Sequence, residues 1–216
     1  PGTYPGFEQP ITYRYRSLEA MIRNILKQPY LDGHIKYRPE LWFGTNGERI
    51  LGPSYTGNQM IFLQQQIKDE DDFIIVLEMM SDAGELSVLT GDKVINPLNF
   101  TITNIDPEYR LRPKMGCTRT LALFPQRLKW VKSSANTKDM ERIRSNQIVQ
   151  QIIRNTVKEL PRLWEEGIDV VCPDRKVRHG RVAVGGWLAD YMEVQKIFSI
   201  AGKSCPTCTA SSTELD

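Results

Sequence analysis

The hydrophobic pattern of this chain changes period along its length, and each change marks an expected element. Leu18, Met21, Ile22, Ile25 and Leu26 recur at helical spacing behind Ser17. Ser at that position can cap a helix start, so a short amphipathic helix is predicted that ends near Gln28-Pro29. Residues 30–58 mix Trp42 and Phe43 with the turn signals Asp32-Gly33 and Asn46-Gly47, which predicts short strands or irregular structure. After the charged stretch 68–72, an unbroken apolar run predicts a buried strand over 73–81. Alternation over 97–103 predicts a half-buried strand, and 118–124 reads as a third. Val149, Ile152, Ile153, Val157 and Leu160 then share one face of a long helix predicted over 136–160, with Asn136 or Thr137 as cap and Pro161 marking its end or a kink. Trp164 is expected to pack against its last turn. Strands are expected at 168–172 and 181–184 around a turn over 173–180, and a short helix over 191–201.

Two acids stand out against this pattern. Asp82 closes the run that starts at Phe73, and Asp190 closes the one that starts at Val182. A carboxylate at the end of a buried strand projects from the sheet edge into a crevice, and two of them on neighbouring strands can hold a divalent cation against a phosphodiester. Turns also favour Asp at strand ends, so the same placement fits ordinary turn chemistry. The element order decides what to expect. Three strands, a helix, a strand and a helix is the order of a ribonuclease H-like domain, where a crossover returns the later strand beside the first. The expected fold is therefore α/β: a ribonuclease H-like mixed sheet flanked by helices, with an N-terminal helical extension and a truncated C-terminus. Its expected divisions are the extension over 1–68, a partial core over 69–204, and the start of a Cys-x-x-Cys, zinc-knuckle-like insertion over 205–216.

Composition narrows the function classes. The 216 residues suit one α/β domain with an appendage, and 40% hydrophobic with 25% charged residues is ordinary for a globular protein. A net charge of +2 leaves any nucleic-acid surface to local clusters. Arg175, Lys176, Arg178 and Arg181 form one such cluster, close in sequence to Asp190; Arg110, Arg112, Lys114 and Arg119 form another. Each fits phosphate binding beside an acidic centre or a solvated turn. The tyrosines near the start fit base stacking or packing on the core sheet. Glu78 and Asp169, acids within strands, are expected at an edge or facing solvent, and Asp92 in a turn. No apolar run is long enough for a membrane span, and the start lacks the layout of a secretion signal. The absent initiator Met and the abrupt polar end point to a piece of a longer polypeptide. Four cysteines are too few for a disulfide scaffold, which suits a reducing compartment, cytosol or nucleus. Cys117 and Cys172 read as buried thiols. Cys205-Pro206-Thr207-Cys208 has zinc-knuckle spacing, although a redox dithiol or inert thiols share it, and neither His34 nor His179 has a companion ligand nearby in sequence.

Taken in order, several short segments resemble the Plavaka-type transposases of the Kyakuja–Dileera–Zisupton group of DNA transposons. They are Tyr13-Arg14-Tyr15-Arg16-Ser17-Leu18-Glu19, Asn46-Gly47-Glu48-Arg49, Thr56-Gly57, Ser81-Asp82 with Thr90-Gly91-Asp92-Lys93, Asn104-Ile105, Cys172-Pro173-Asp174, Ala189-Asp190-Tyr191 with Glu193, and Cys205-Pro206-Thr207-Cys208. The resemblance implies an Asp-Asp-Glu nuclease and strand-transferase core with two metal ions, Mg²⁺ or Mn²⁺. Asp82 and Asp190 fall on its first two acidic positions. It also implies DNA (transposon ends and target) as partner, a nuclear location, Zn²⁺ at Cys205 and Cys208 with further ligands elsewhere, and a third acid beyond the Cys-x-x-Cys segment. Self-association is left open. Where the family has Lys-Thr after the first acid, this chain has Ala83-Gly84, and Met192 replaces the Pro after the second Asp-Tyr. Those departures imply reduced activity or a catalytically inactive, transposase-derived module that binds nucleic acid or protein.

Overall fold

The structure is a computed structural model that describes residues 11–81, 84–85, 94–125, 138–200 and 205. Its elements run in the order β1 (Arg14–Tyr15), α1 (Leu18–Leu26), β2 (Trp42–Phe43), β3 (Arg49–Ile50), α2 (Asn58–Gln65), β4 (Phe73–Ser81), β5 (Gly84–Glu85), β6 (Val94–Ile95), β7 (Pro97–Ile102), α3 (Pro107–Arg110), β8 (Arg119–Leu123), α4 (Lys138–Thr156), α5 (Leu160–Glu165), β9 (Ile168–Val171), β10 (Val177–Leu188) and α6 (Tyr191–Phe198). Six strands build one mixed sheet in the order β1-β8-β7-β4-β10-β9, while β2-β3 and β5-β6 form separate two-stranded pairs.

Strand β4 lies inside this sheet, which is why its sequence is continuously apolar: Phe73 to Leu77 are buried on both faces. β7 and β8 extend it as an antiparallel meander. The chain then passes through α4 and α5 to the far side of β4. There β10 runs parallel to β4, from Gly180 beside Phe73 to Leu188 beside Met80. A bulge at Gly185 interrupts the ladder. A Cβ at Gly185 would stand 2.5 Å from the Val76 side chain, so the close approach of the two strands requires glycine.

One face of the sheet packs on the main core. Leu18, Ile22, Ile25 and Leu26 of α1, Ile148 and Ile152 of α4, and Phe73, Ile75, Leu77 and Met79 of β4 all belong to it. The Ser17 side chain caps α1 as expected, accepting from the Ala20 N–H at 3.3 Å. The N-terminal segment thus joins the sheet twice, with β1 as its edge strand and α1 beneath it. On the opposite face a smaller cluster of Tyr55, Met60, Ile74 and Val76 packs with Trp164 and Ala183.

Three sequence expectations change. Residues 58–65 form α2, with no helical stripe to announce it: only Met60 is buried along its length. The long helix stops at Thr156, and Pro161 sits in the first turn of the separate helix α5, where a missing N–H costs nothing. Trp164 accordingly packs from α5 into the smaller cluster. The last strand begins at Val177, so Arg178 and His179 belong to the ladder with β9 and lie outside the turn. The capping residues expected at Asn136 or Thr137 lie outside the described residues.

Candidate functional site

Asp190 sits where β10 gives way to α6. Its Oδ1 accepts the Glu193 N–H at 2.7 Å, the bond of an N-cap, and its side chain is exposed at the sheet edge. Three residues earlier, Trp187 Nε1 donates to Ser81 Oγ at 3.0 Å. That bond ties the end of β10 to the end of β4, because Ser81 is the last residue of β4 and is 2% exposed. Asp82, the acid expected opposite Asp190, lies outside the described residues, as do Asp92 and Cys208. Cys205 is a half-exposed thiol. Among the described residues no cluster of three His, Cys, Asp or Glu side chains forms a metal site.

Next to this edge, the face of the sheet below the smaller cluster turns polar. Glu78 follows Ile74 and Val76 on that face of β4, and Arg110 of α3 donates to its Oε2 at 2.6 Å. The pair is largely enclosed, with 12% and 26% of the Arg110 and Glu78 side chains exposed. This corrects the expectation of an edge or solvent-facing Glu78: β4 is interior, and the cation beside the acid comes from the cluster of Arg110, Arg112, Lys114 and Arg119. In that cluster Arg112 pairs with Glu108 and lies over the Tyr109 ring. Lys114 is exposed, and the Arg119 guanidinium packs against Gly116.

The second basic cluster divides in two. Arg178 makes a two-pronged contact to Asp174 at 2.8 and 2.7 Å and stacks over Tyr37, 4.1 Å from the ring centre. The guanidinium holds the Asp174 carboxyl down to about 2. Burial, followed by the Cys172 contact, pushes the Tyr37 phenol up. Arg181 Nε donates to Asp72 Oδ2 at 2.9 Å, and its NH1 donates to the carbonyls of Trp164 and Glu165 at the C-terminus of α5. Arg175 and Lys176 occupy the exposed turn, where Arg175 has φ 64°. Closeness in sequence does not become closeness in space. The turn and Asp190 stand at opposite ends of β10, which is 12 residues long. At ~3.3 Å per residue roughly 40 Å separate them, the length of about 12 base pairs of DNA.

Both histidines have internal partners. His179 Nδ1 contacts Asp169 at 2.7 Å on the exposed β9 edge, which raises the imidazole pKa above its ordinary value. His34 Nδ1 contacts Asp106 at 3.2 Å, and Asp106 also accepts from the Tyr55 hydroxyl at 2.9 Å.

Sequence reasoning noted Asn104 only as part of a motif. Its side chain is fully buried; Oδ1 accepts the Val76 N–H at 2.9 Å, and Nδ2 donates to the carbonyls of Ile74 at 2.8 Å and Lys36 at 2.9 Å. It takes the place of a strand partner for β4 where β7 has ended. A polar residue directly after an alternating strand was the available signal. No helix among the described residues is long and apolar enough to cross a membrane. No curated protein matches the chain. The family model of the Plavaka transposases matches residues 4–216, and on that match over nearly its whole length the chain belongs to the Plavaka transposase family.

Proposed function

We propose that the chain works as part of a DNA transposase and contributes Asp82 and Asp190, on a ribonuclease H-like sheet, to a metal-dependent centre for DNA cleavage and strand transfer. The observation that carries this reading is the parallel register of β10 and β4. Leu188 stands beside Met80, so Asp190 follows the end of β10 at the same sheet edge at which β4 ends in Ser81. The meander β4-β7-β8, the helical crossover and the return beside β4 support the ribonuclease H-like assignment.

Carboxylate oxygens are the donors that Mg²⁺ and Mn²⁺ prefer, and the exposed Asp190 side chain offers one at the sheet edge. The ions, when bound, supply Lewis acidity at phosphodiester oxygens. The chain's own part is positional. The Glu193 N–H holds one oxygen of Asp190, which fixes the carboxylate's direction, and the Trp187–Ser81 bond fixes the spacing of the two strand ends. Arg175 and Lys176 are proposed to contact DNA phosphates, with Arg178 and Arg181 bracing their hairpin. Cys205 and Cys208 are proposed to give two thiolates to Zn²⁺, and the nucleus follows as the place of action.

Titration calorimetry with Mn²⁺ tests the centre. Asp190→Asn preserves the helix cap, since Asn caps as well as Asp, and should abolish the binding heat, as should Asp82→Asn. Heats equal to wild type would refute the metal role. They would favour the second reading, a non-catalytic module that binds nucleic acid or protein. Two observations support that module: Ala83-Gly84 behind the first acid, and the helix cap that already engages one Asp190 oxygen.

A further inference from the structure

A second surface, on the opposite side of the sheet from the hairpin turn, has the makings of a polynucleotide site. Tyr13, just before β1, and Tyr15 within it stack their rings 5.9 Å apart and 24° from parallel. Tyr13 is anchored: it packs against the core, and its hydroxyl accepts from Asn155 of α4 at 2.6 Å. Tyr15 is 43% exposed, and the Lys158 ammonium stands 5.8 Å from its ring centre. The pair opens onto a cavity of about 1000 Å³ bounded by β1, the end of β8, Gln151 and Asn155.

Gln151 also lines a second cavity, of about 640 Å³, between α4 and the end of α6. Arg142, Asn146, Gln150 and Arg154 line it at intervals of one helical turn, and Ser199 closes it. The two cavities therefore adjoin along α4. Between them their linings carry the aromatic pair, a row of amide side chains, and the cations Arg14, Arg142 and Arg154, with Lys158 beside the Tyr15 ring. Arg14, Arg154 and Lys158 make no ion pair among the described residues; Arg142 meets Asp139 only at 3.6 Å, with both side chains mostly exposed. From Ser199 the axis of α6 leads back to Asp190 over roughly 13 Å, at ~1.5 Å per residue.

We propose that this pair of neighbouring cavities binds a single-stranded polynucleotide, with an unpaired base on Tyr15 and backbone phosphates on Arg14, Arg154 and Lys158. A duplex cannot present a free base face to Tyr15, and a flat aromatic ring beside a mobile cation suits any base. A protein partner would gain little from the row of uncharged amides, whereas amides and Arg together suit sugar and phosphate oxygens. The proposal extends the nucleic-acid reading of the chain but needs neither metal ion nor Asp82, so the two can fail separately.

The test is fluorescence anisotropy of the full chain with labelled oligo(dT), oligo(rU) and a DNA duplex, in EDTA. Single strands should bind more tightly than the duplex, and comparison of dT with rU identifies which polynucleotide is the better ligand. Tyr15→Ala should weaken single-strand binding between about five- and a hundredfold, with Tyr15→Phe close to wild type. Arg154→Gln with Lys158→Gln should flatten the slope of log affinity against log salt by about 1.4, two phosphates' worth. Because all three side chains are exposed, unchanged melting curves certify the fold. Equal affinity of wild type and Tyr15→Ala, an unchanged salt slope, or preference for the duplex would overturn the proposal.

Discussion

Asn104→Ala is the sharpest available test of how the sheet is held together. The side chain makes three hydrogen bonds, to the Val76 N–H and to the Ile74 and Lys36 carbonyls. Its residue is 0% exposed, so water does not replace the lost amide without opening the fold. Truncation strands one donor and two acceptors. A buried group left unsatisfied costs about 1–3 kcal/mol, and the N–H, with a single bond to give, stands at the upper end. The carbonyls have second lone pairs and the cavity relaxes in part, which brings the sum to about 3–5 kcal/mol rather than three full penalties. For a chain of this size that is a fall in Tm of roughly 10 °C. Asn104→Asp should be no better at neutral pH, because it keeps the acceptor for Val76 but turns a carboxylate toward two carbonyls. Acid should partly rescue it, since the protonated form regains one donor. Circular dichroism melts at pH 7 and pH 5, with hydrogen exchange at the Val76 amide, would read both effects. Melting of both variants within about 2 °C of wild type would refute the claim that Asn104 substitutes for a strand.

Four further outcomes follow from the same geometry. Arg181→Leu leaves the buried Asp72 carboxylate without its partner and should cost about 3 kcal/mol in chemical denaturation, most of it recovered in Arg181→Leu/Asp72→Leu; a single-variant loss under about 1 kcal/mol would identify Arg181 as a surface cation. Asp190→Ala should destabilise by about 1 kcal/mol through the lost cap while Asp190→Asn melts like wild type, and the reverse order would show that Oδ1 does not cap α6. His179, raised by Asp169, contributes stability that is full below its unfolded pKa near 6.5 and fades as pH rises through the higher folded value. His179→Asn should therefore cost more at pH 6 than at pH 9, by under about 1 kcal/mol for so exposed a pair. Asp174 has the opposite sign: its contribution is present above its unfolded pKa near 3.8 and is lost as pH falls toward about 2, so Asp174→Asn should flatten the acid limb of the stability curve only below pH 4.

Much of the sheet was legible because its strands carry their environment in their composition. The 73–81 run is apolar at every buried position except its last, Ser81, and the observed β4 has the same bounds. The Ser17 cap and the spacing behind it delimit α1 equally well. Helix α2 escaped because its buried contact is one methionine, too little for a periodic stripe. Pro161 was ambiguous because proline closes one helix and opens the next with equal ease. The acids were harder. Asp190 at the strand end could be read from the sequence, but its bond to Glu193 depends on where the helix starts. Arg178 and Arg181 looked like free cations because their partners Asp174, Tyr37 and Asp72 are brought to them by the hairpin and by the return of β10. Position along β10 separated the basic turn from the acid, and linear proximity could not reveal that.

The docking of β1 and α1 onto the sheet has a practical corollary for anyone trimming this protein. A version started after the first fifty residues would bare the outer hydrogen-bonding rim of β8 together with the oily underside that Leu18, Ile22, Ile25 and Leu26 now shield. Naked rims of that kind recruit strands from other molecules. Such a trimmed version should emerge from expression as insoluble material, so biochemical work on this chain is best begun from residue 11 or earlier.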